Sequence, residues 1–278
     1  MGTPVIYDGI EPADLAARLR APSCLALATV TSTLDLVHEL AAEEAPAGTV
    51  VLADEQVRGR GRMGRRWHSP KGAGVWLGYL MRPGAPLEGG VLSLRVGLAV
   101  IDALDHLGVE ARLKWPNDIV ADDRKLGGIL CEARWLREAP SWVAVGIGLN
   151  VHGPLPAEIA EGAVTLEELH TPVSRVGLLE ALVPRLHGLA HTGALTDAER
   201  NRFATRDWLL GRTLVEPMAG TARGIGADGA LLVETKVGVE RVLGGSVVVA
   251  RHGAWGNTGG MREQPKRSPR RSRRRADS

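Results

Sequence analysis

Positions 58 to 66 read Arg-Gly-Arg-Gly-Arg-Met-Gly-Arg-Arg, five arginines and three glycines in nine residues, and Trp67 follows. Charges at this density do not enter a packed interior unless each one is paired. Any fold must therefore carry the stretch at its surface, between two apolar runs of strand length, Thr49–Ala53 and Val75–Met81. Glycine lets backbone N–H groups come close to a ligand. Arginine adds a permanent charge and five fixed donors suited to carboxylate and phosphate. The stretch therefore reads as a mobile loop that closes over an anion, or as an ordinary solvated basic loop. The neighbouring segments have to decide between the two.

The 278 residues allow one large domain and a small one, and 44% hydrophobic content suits a globular chain. No apolar run is long enough for a membrane helix, and no secretory signal pattern opens the chain. The two cysteines, Cys24 and Cys131, lie in apolar contexts without metal-ligand spacing, so a reducing cytoplasm is the expected setting. The net charge of +2 is unevenly spread. From Arg262 onward eight basic residues face only Glu263 and Asp277, which leaves residues 1–261 at −4. The body is thus mildly acidic, unlike a general nucleic-acid binder. The tail, 252–278, is expected to be disordered and reads either as a polyanion-binding arm or as a solvated end.

Periodicity predicts a helix over Pro12–Leu19, a strand over Cys24–Val30 and a helix over Asp35–Glu44. A long helix follows over Leu92–Leu107, with Gly108 as its stop. Arg112–Trp115 reads as a strand closed by Pro116-Asn117-Asp118. Ile119–Ala121 and Leu126–Ala133 form a hairpin about Asp122-Asp123-Arg124, and Trp142–Val151 is a further strand. Helices are expected over 174–190 and 196–210. Short β runs then follow at Thr213–Glu216, Ala219–Ile225, Ala230–Thr235 and Val239–Val249, with turns at Ala227-Asp228-Gly229 and Gly244-Gly245. They suggest a barrel of roughly 40 residues. The fold class is α+β, with a mixed, largely antiparallel sheet.

Several segments, most of them at strand ends, carry chemistry: Ser32-Thr33; Gln56 with the arginine–glycine loop; Lys114-Trp115-Pro116-Asn117-Asp118; Lys125-Leu126-Gly127-Gly128-Ile129-Leu130; and Gly146-Ile147-Gly148-Leu149-Asn150-Val151. In this order and spacing they resemble the biotin–protein ligases over about residues 23–250. Without a DNA-binding region before residue 23, the resemblance is to family members that are ligases only. It implies a catalytic domain like that of class II aminoacyl-tRNA synthetases over 23–210. An SH3-like barrel over 211–251 and an N-terminal extension, 1–22, complete the implied organisation.

The implied reaction joins biotin to ATP as biotinyl-5′-AMP, then passes biotin to a lysine of a biotin carboxyl carrier protein. By resemblance, Lys125, Arg62 and Arg60 are the catalytic cations. Biotin would be held by Ser32, Thr33, Gln56, Gly59, Arg60, Gly61, Arg62, Lys125, Gly128 and Gly148. The nucleotide falls to Arg62, Arg65, Trp67, Lys114, Asn117 and Asn150. Magnesium is expected to arrive with the nucleotide, with no protein ligand set. Asp118 reads equally as a magnesium acceptor, an acceptor for the lysine nucleophile, or a turn carboxylate. No specific DNA or membrane partner is expected, and a weak homodimer stays open.

Two positions depart from the family pattern: Leu34 stands where Asn is frequent, and Arg58 replaces a small residue ahead of the loop. A lipoate–protein ligase shares the adenylate logic, but the dense loop and the Lys-Trp-Pro-Asn-Asp turn favour biotin. A nucleic-acid binder would need aromatic residues among its charges, and a scaffold without activity would not need Lys125 in its glycine-rich setting.

Overall fold

The computed structural model describes residues 3–83, 90–136, 139–190 and 193–250. The basic tail, expected to be disordered, lies outside them. Helices α1 (Pro12–Leu19), α2 (Thr33–Ala42) and α3 (Val91–His106) alternate with strands β1 (Cys24–Val30), β2 (Val50–Gln56) and β3 (Gly74–Met81). Strands β4 (Arg112–Lys114), β5 (Asp118–Ala121), β6 (Arg124–Leu136) and β7 (Ala139–Asn150) follow, then helices α4 (Ala157–Ala160), α5 (Arg175–His187) and α6 (Asp197–Arg206). The chain continues as β8 (Thr213–Glu216), β9 (Gly220–Ile225), β10 (Leu231–Thr235), β11 (Gly238–Val242) and β12 (Val248–Val249).

The first seven strands make one sheet in the order β1-β2-β3-β7-β6-β5-β4, and the last five make a second, β11-β10-β9-β8-β12. Only β1 and β2 run parallel; every other pair is antiparallel. The mixed, largely antiparallel α+β reading therefore holds.

Side-chain alternation divides the large sheet into two faces. Val50 and Leu52, Val75, Leu77 and Tyr79, and Val145, Ile147 and Leu149 join the main core with residues of α1, α3 and α5. The intervening Val51, Ala53, Trp76, Leu80 and Ala144 pack beneath Leu34, Leu36, Val37 and Ala41 of α2. Helix α3 is apolar nearly all round and is buried along most of its length. It ends at His106 with Leu107 as its cap, and Gly108 takes a left-handed φ of +75° as a helix stop requires.

Three expectations need adjustment. Helix α2 starts at Thr33, ahead of Asp35: Gln56 Oε1 accepts the Thr33 N–H at 2.9 Å and satisfies a first-turn donor from outside the helix. The run Val239–Val249 is two strands, because Gly245 (φ +114°) turns the chain between them. The helix expected over 196–210 ends at Arg206, and Trp208 N donates to Leu113 O at 2.8 Å, tying the chain to β4. The N-terminal segment packs on β1, with Val5 N donating to Ala26 O at 3.0 Å. It is clamped through Arg175, which pairs with Asp8 and with Asp54 (2.9 Å) and lies 4.3 Å from the Tyr7 ring.

Candidate active site

Helix α2 covers only part of its face of the sheet. Gly78 has to lack a side chain there, since a Cβ would come 2.8 Å from Val37 Cγ2. Farther along β7 the same face carries Gly146, Gly148 and Asn150, and β6 adds Gly128, Leu130 and Glu132, with Gly128 opposite Gly148. This glycine floor is roofed by the loop that leaves β2. Trp67 lies on it: a Cβ on Gly148 would sit 2.4 Å from the indole Nε1, and one on Gly128 would sit 3.4 Å from Cζ3. The indole meets Trp76 edge to face, at 6.5 Å between centroids and 74° between planes. Its buried Nε1–H has no acceptor among the described residues.

The loop itself is a hairpin. Trp67 N donates to Gly59 O and Gly61 N to Arg65 O, both at 2.8 Å, while Met63 (φ +58°) and Gly64 (φ +72°) turn the tip. Gly59 is required by its neighbours, because a Cβ would lie 2.5 Å from Trp67 O.

Cations from three elements gather under this roof. Lys125 Nζ is 2.6 Å from Asp118 Oδ1 and 5.3 Å from the Trp67 ring centre. Its backbone is fixed to the chain after β7, donating to Gly162 O at 2.8 Å and accepting from Val164 N at 3.0 Å. Arg62 donates to Asn117 Oδ1 at 3.3 Å. Lys114 lies 5.3 Å from the centre of the Trp208 ring. Burial lowers the Lys114 pKa first of all; Asp118 opposes this, while Lys125, Arg65 and Arg212 add to it. Burial likewise lowers Arg62, with Asp118 acting against it and Arg65 with it. Asp118 therefore stands among several cations, a field ready for a polyanion.

The polar groups beside the floor are largely committed. Gln56 Oε1 accepts from Thr33 N (2.9 Å) and Thr33 Oγ1 (3.3 Å), and its Nε2 donates to Ser69 Oγ at 2.8 Å. Among the described residues the second Gln56 Nε2–H meets no acceptor, which leaves it to face a ligand. Ser32 is buried at the head of α2 but does not cap it with its hydroxyl. Asn117 donates to Ile129 O at 2.8 Å and Asn150 to Val164 O at 3.2 Å, so each amide also holds the pocket wall. Arg60 forms ion pairs with Asp35 and with Glu132 (2.9 Å).

One pocket is lined by Ser32, Thr33, Gln56, Arg60, Gly61, Arg62, Arg65, Trp67, Lys114, Asn117, Lys125, Gly128, Gly148 and Asn150. Gly59 faces the adjoining groove on the other side of the loop. Among the lining residues, sequence reasoning missed Met63, Arg66, His68, Leu155, Ile159 and the segment Gly245-Ser246-Val247, which joins β11 to β12. The last of these reaches the loop directly: Arg65 donates to Ser246 Oγ at 2.8 Å, and that hydroxyl lies 3.6 Å from Met63 Sδ. Its only sequence cue was the turn at Gly244-Gly245.

The biotin/lipoate A/B protein ligase family profile matches residues 26–150, which span both glycine strands and Arg60, Arg62, Arg65, Lys114 and Lys125. The bifunctional ligase/repressor BirA of Bacillus subtilis is 33% identical over 233 residues, covering 78% of this chain and 71% of that protein. The chain belongs to the biotin/lipoate protein ligase family. A biotin–[acetyl-CoA-carboxylase] ligase of Mycobacterium tuberculosis is 37% identical over 147 residues, 51% of this chain and 53% of its own length. The biotin protein ligase of Aquifex aeolicus, solved with biotin and ATP, superposes with a TM-score of 0.69 at 27% identity, over 83% of this chain and 99% of that one. The family's catalytic fold, α+β around one large sheet, is thus the fold of this chain.

Proposed function

We propose that the protein is a biotin–protein ligase, which activates biotin with ATP and transfers it to a lysine of a biotin carboxyl carrier protein. The observation that carries this reading is the overlap of two environments in one pocket. A glycine-floored slot under an indole suits a flat apolar ring system with a few polar atoms. The cations Arg62, Arg65, Lys114 and Lys125 beside it suit a triphosphate.

In the first step an oxygen of the biotin carboxylate attacks the α-phosphorus of ATP, the bond to the β-phosphate oxygen breaks, and pyrophosphate leaves. In-line displacement at phosphorus needs positioning and charge neutralisation. Lys125 and Arg62 supply the charge and Lys114 holds the nucleotide phosphates. In the second step the carrier lysine amine attacks the acyl carbon, AMP departs and the amine loses a proton. The loop roof keeps water from the mixed anhydride. The unpartnered Trp67 N–H and the spare Gln56 N–H suit acceptor atoms of the bound ligand, and Ser32 and Thr33 border the same slot.

No group of three or more metal-binding side chains occurs among the described residues. Asp118, already paired with Lys125, is a poor cage for a divalent ion, so magnesium enters with the nucleotide. We assign the catalytic domain to 23–210 and read the second sheet as an SH3-like barrel over 211–251. No described helix is long and apolar enough to cross a membrane. The free thiols Cys24 and Cys131 support a cytoplasmic setting.

The test is incubation with biotin, magnesium and α-labelled ATP, followed by addition of a carrier domain. Pyrophosphate release with labelled adenylate, then biotin on the carrier, supports the reading. Turnover of lipoate with biotin left unused overturns it.

A further inference from the structure

Resemblance gives Arg60 to the biotin carboxylate, yet two protein carboxylates engage its guanidinium. One nitrogen pairs with Asp35 on α2, and another lies 2.9 Å from Glu132 Oε2 on β6. Glu132 is itself oriented from behind. The indole N–H of Trp142 donates to His38 Nδ1 at 2.9 Å, and an indole nitrogen can only donate. Nδ1 is therefore the acceptor, so Nε2 carries the proton and donates it to Glu132 Oε2 at 3.0 Å. Trp142 thus sets the tautomer of His38, His38 sets Glu132, and Glu132 and Asp35 together hold Arg60. Both carboxylates belong to regular elements, whereas Arg60 belongs to the hairpin roof.

We propose that Arg60 is a positioning residue that latches the arginine–glycine loop to the body of the protein, with Asp35 and Glu132 as its keepers and His38 as the brace of Glu132. The loop is then held at both ends of its tip: Arg60 to the large sheet and its helix, Arg65 to Ser246 in the connection between β11 and β12 of the second sheet. Arg62, between these anchors, is left to face the ligand. Two carboxylates already balance the charge of Arg60, and a biotin carboxylate would have to compete with Asp35 and Glu132 for it.

The inference rests on the ligase reading for its functional readout, but the latch has a structural signature of its own. Trypsin cleaves after arginine, and cleavage of a segment that opens locally follows the population of its open form. Arg60→Ala, Asp35→Asn/Glu132→Gln and Asp35→Ala/Glu132→Ala are compared with wild type by mass-mapped cleavage within 58–66, adenylate release and the KM for biotin. Loss of two partly exposed ion pairs should speed loop cleavage and adenylate release by on the order of fivefold. Arg60→Ala and the double alanine variant should move both in the same direction, and combining them should add little. The amide variant keeps hydrogen-bond acceptors for Arg60 and should fall in between.

If Arg60 instead binds the biotin carboxylate, the two sets of variants part in sign. Removing the carboxylates would free Arg60 and lower the KM for biotin, whereas Arg60→Ala would raise it. That outcome, or wild-type loop cleavage in all variants, overturns the latch. Failure of wild-type protein to form any adenylate overturns the ligase reading instead, and the cleavage rates then judge the latch alone.

Discussion

Gly148→Ala adds one carbon at the most crowded point of the pocket floor. Its Cβ would lie 2.4, 2.6 and 3.0 Å from Nε1, Cε2 and Cζ2 of Trp67, so the indole has to retreat by about 1 Å to restore van der Waals contact. Trp67 cannot retreat freely, since its backbone N is held by Gly59 O and its ring by Trp76. Overpacking of this kind costs about 1–3 kcal/mol. Part should appear as a fall of a few degrees in the unfolding midpoint. The rest should fall on the ligand site, raising the KM for biotin by roughly 3- to 30-fold, which corresponds to about 0.7–2 kcal/mol. Gly128→Ala is the matched comparison, because its Cβ meets Trp67 at an ordinary 3.4 Å and should strain the indole far less. The assay is biotin-dependent pyrophosphate release across a biotin titration, with thermal unfolding of the same samples. A Gly148→Ala enzyme with an unchanged midpoint and a KM within twofold of wild type would refute the placement of the indole on the floor.

Lys125→Ala should cut the first half-reaction by about 10²–10³-fold at saturating ATP, the scale for losing a fixed charge at a developing anion; near-normal pyrophosphate release would reduce Lys125 to a partner for Asp118. Arg62→Ala should release biotinyl-AMP roughly ten- to a hundredfold faster, as expected for one lost charge-assisted contact, visible as labelling of bystander lysines. Asp207, buried and with Oδ2 unpartnered among the described residues, is pushed up by burial from 3.8 to about 6. Since the folded state favours the protonated acid, stability should fall as pH rises from about 4 through 6, by roughly 3 kcal/mol, and stay lowered above that range. Denaturant midpoints of Asp207→Asn should lack that slope; an unchanged slope would place the titration elsewhere.

The parts of the fold that were legible in the sequence are those whose signal is local. The helix over Pro12–Leu19 and the strands Cys24–Val30 and Thr213–Glu216 have the bounds that periodicity and turn residues predict. The pocket floor was legible as well, because glycines in a buried strand mark a face where side chains are absent. Contacts decided across long separations were not. Thr33 enters α2 because Gln56 accepts its N–H from 23 residues away. Ser246 reaches Arg65 across 181 positions, and the turn at Gly244-Gly245 marks a bend without naming its partner. Helix α4 escaped notice because it is only four residues long and has no side-chain cap. The charges of Asp35 and Glu132 look like solvated surface until the fold brings both to Arg60.

The contact between Arg65 and Ser246 makes this a catalyst in two pieces. A roof anchored to one sheet at Arg60 and to the other at Arg65 is complete only when both sheets are docked. Residues up to Arg206 and residues from Gly211 onward, expressed as separate polypeptides and fused to two interacting proteins, should regain retention of the activated biotin only on association. The seam between the sheets is therefore a natural cut for fragment complementation, with carrier labelling as the reporter of proximity.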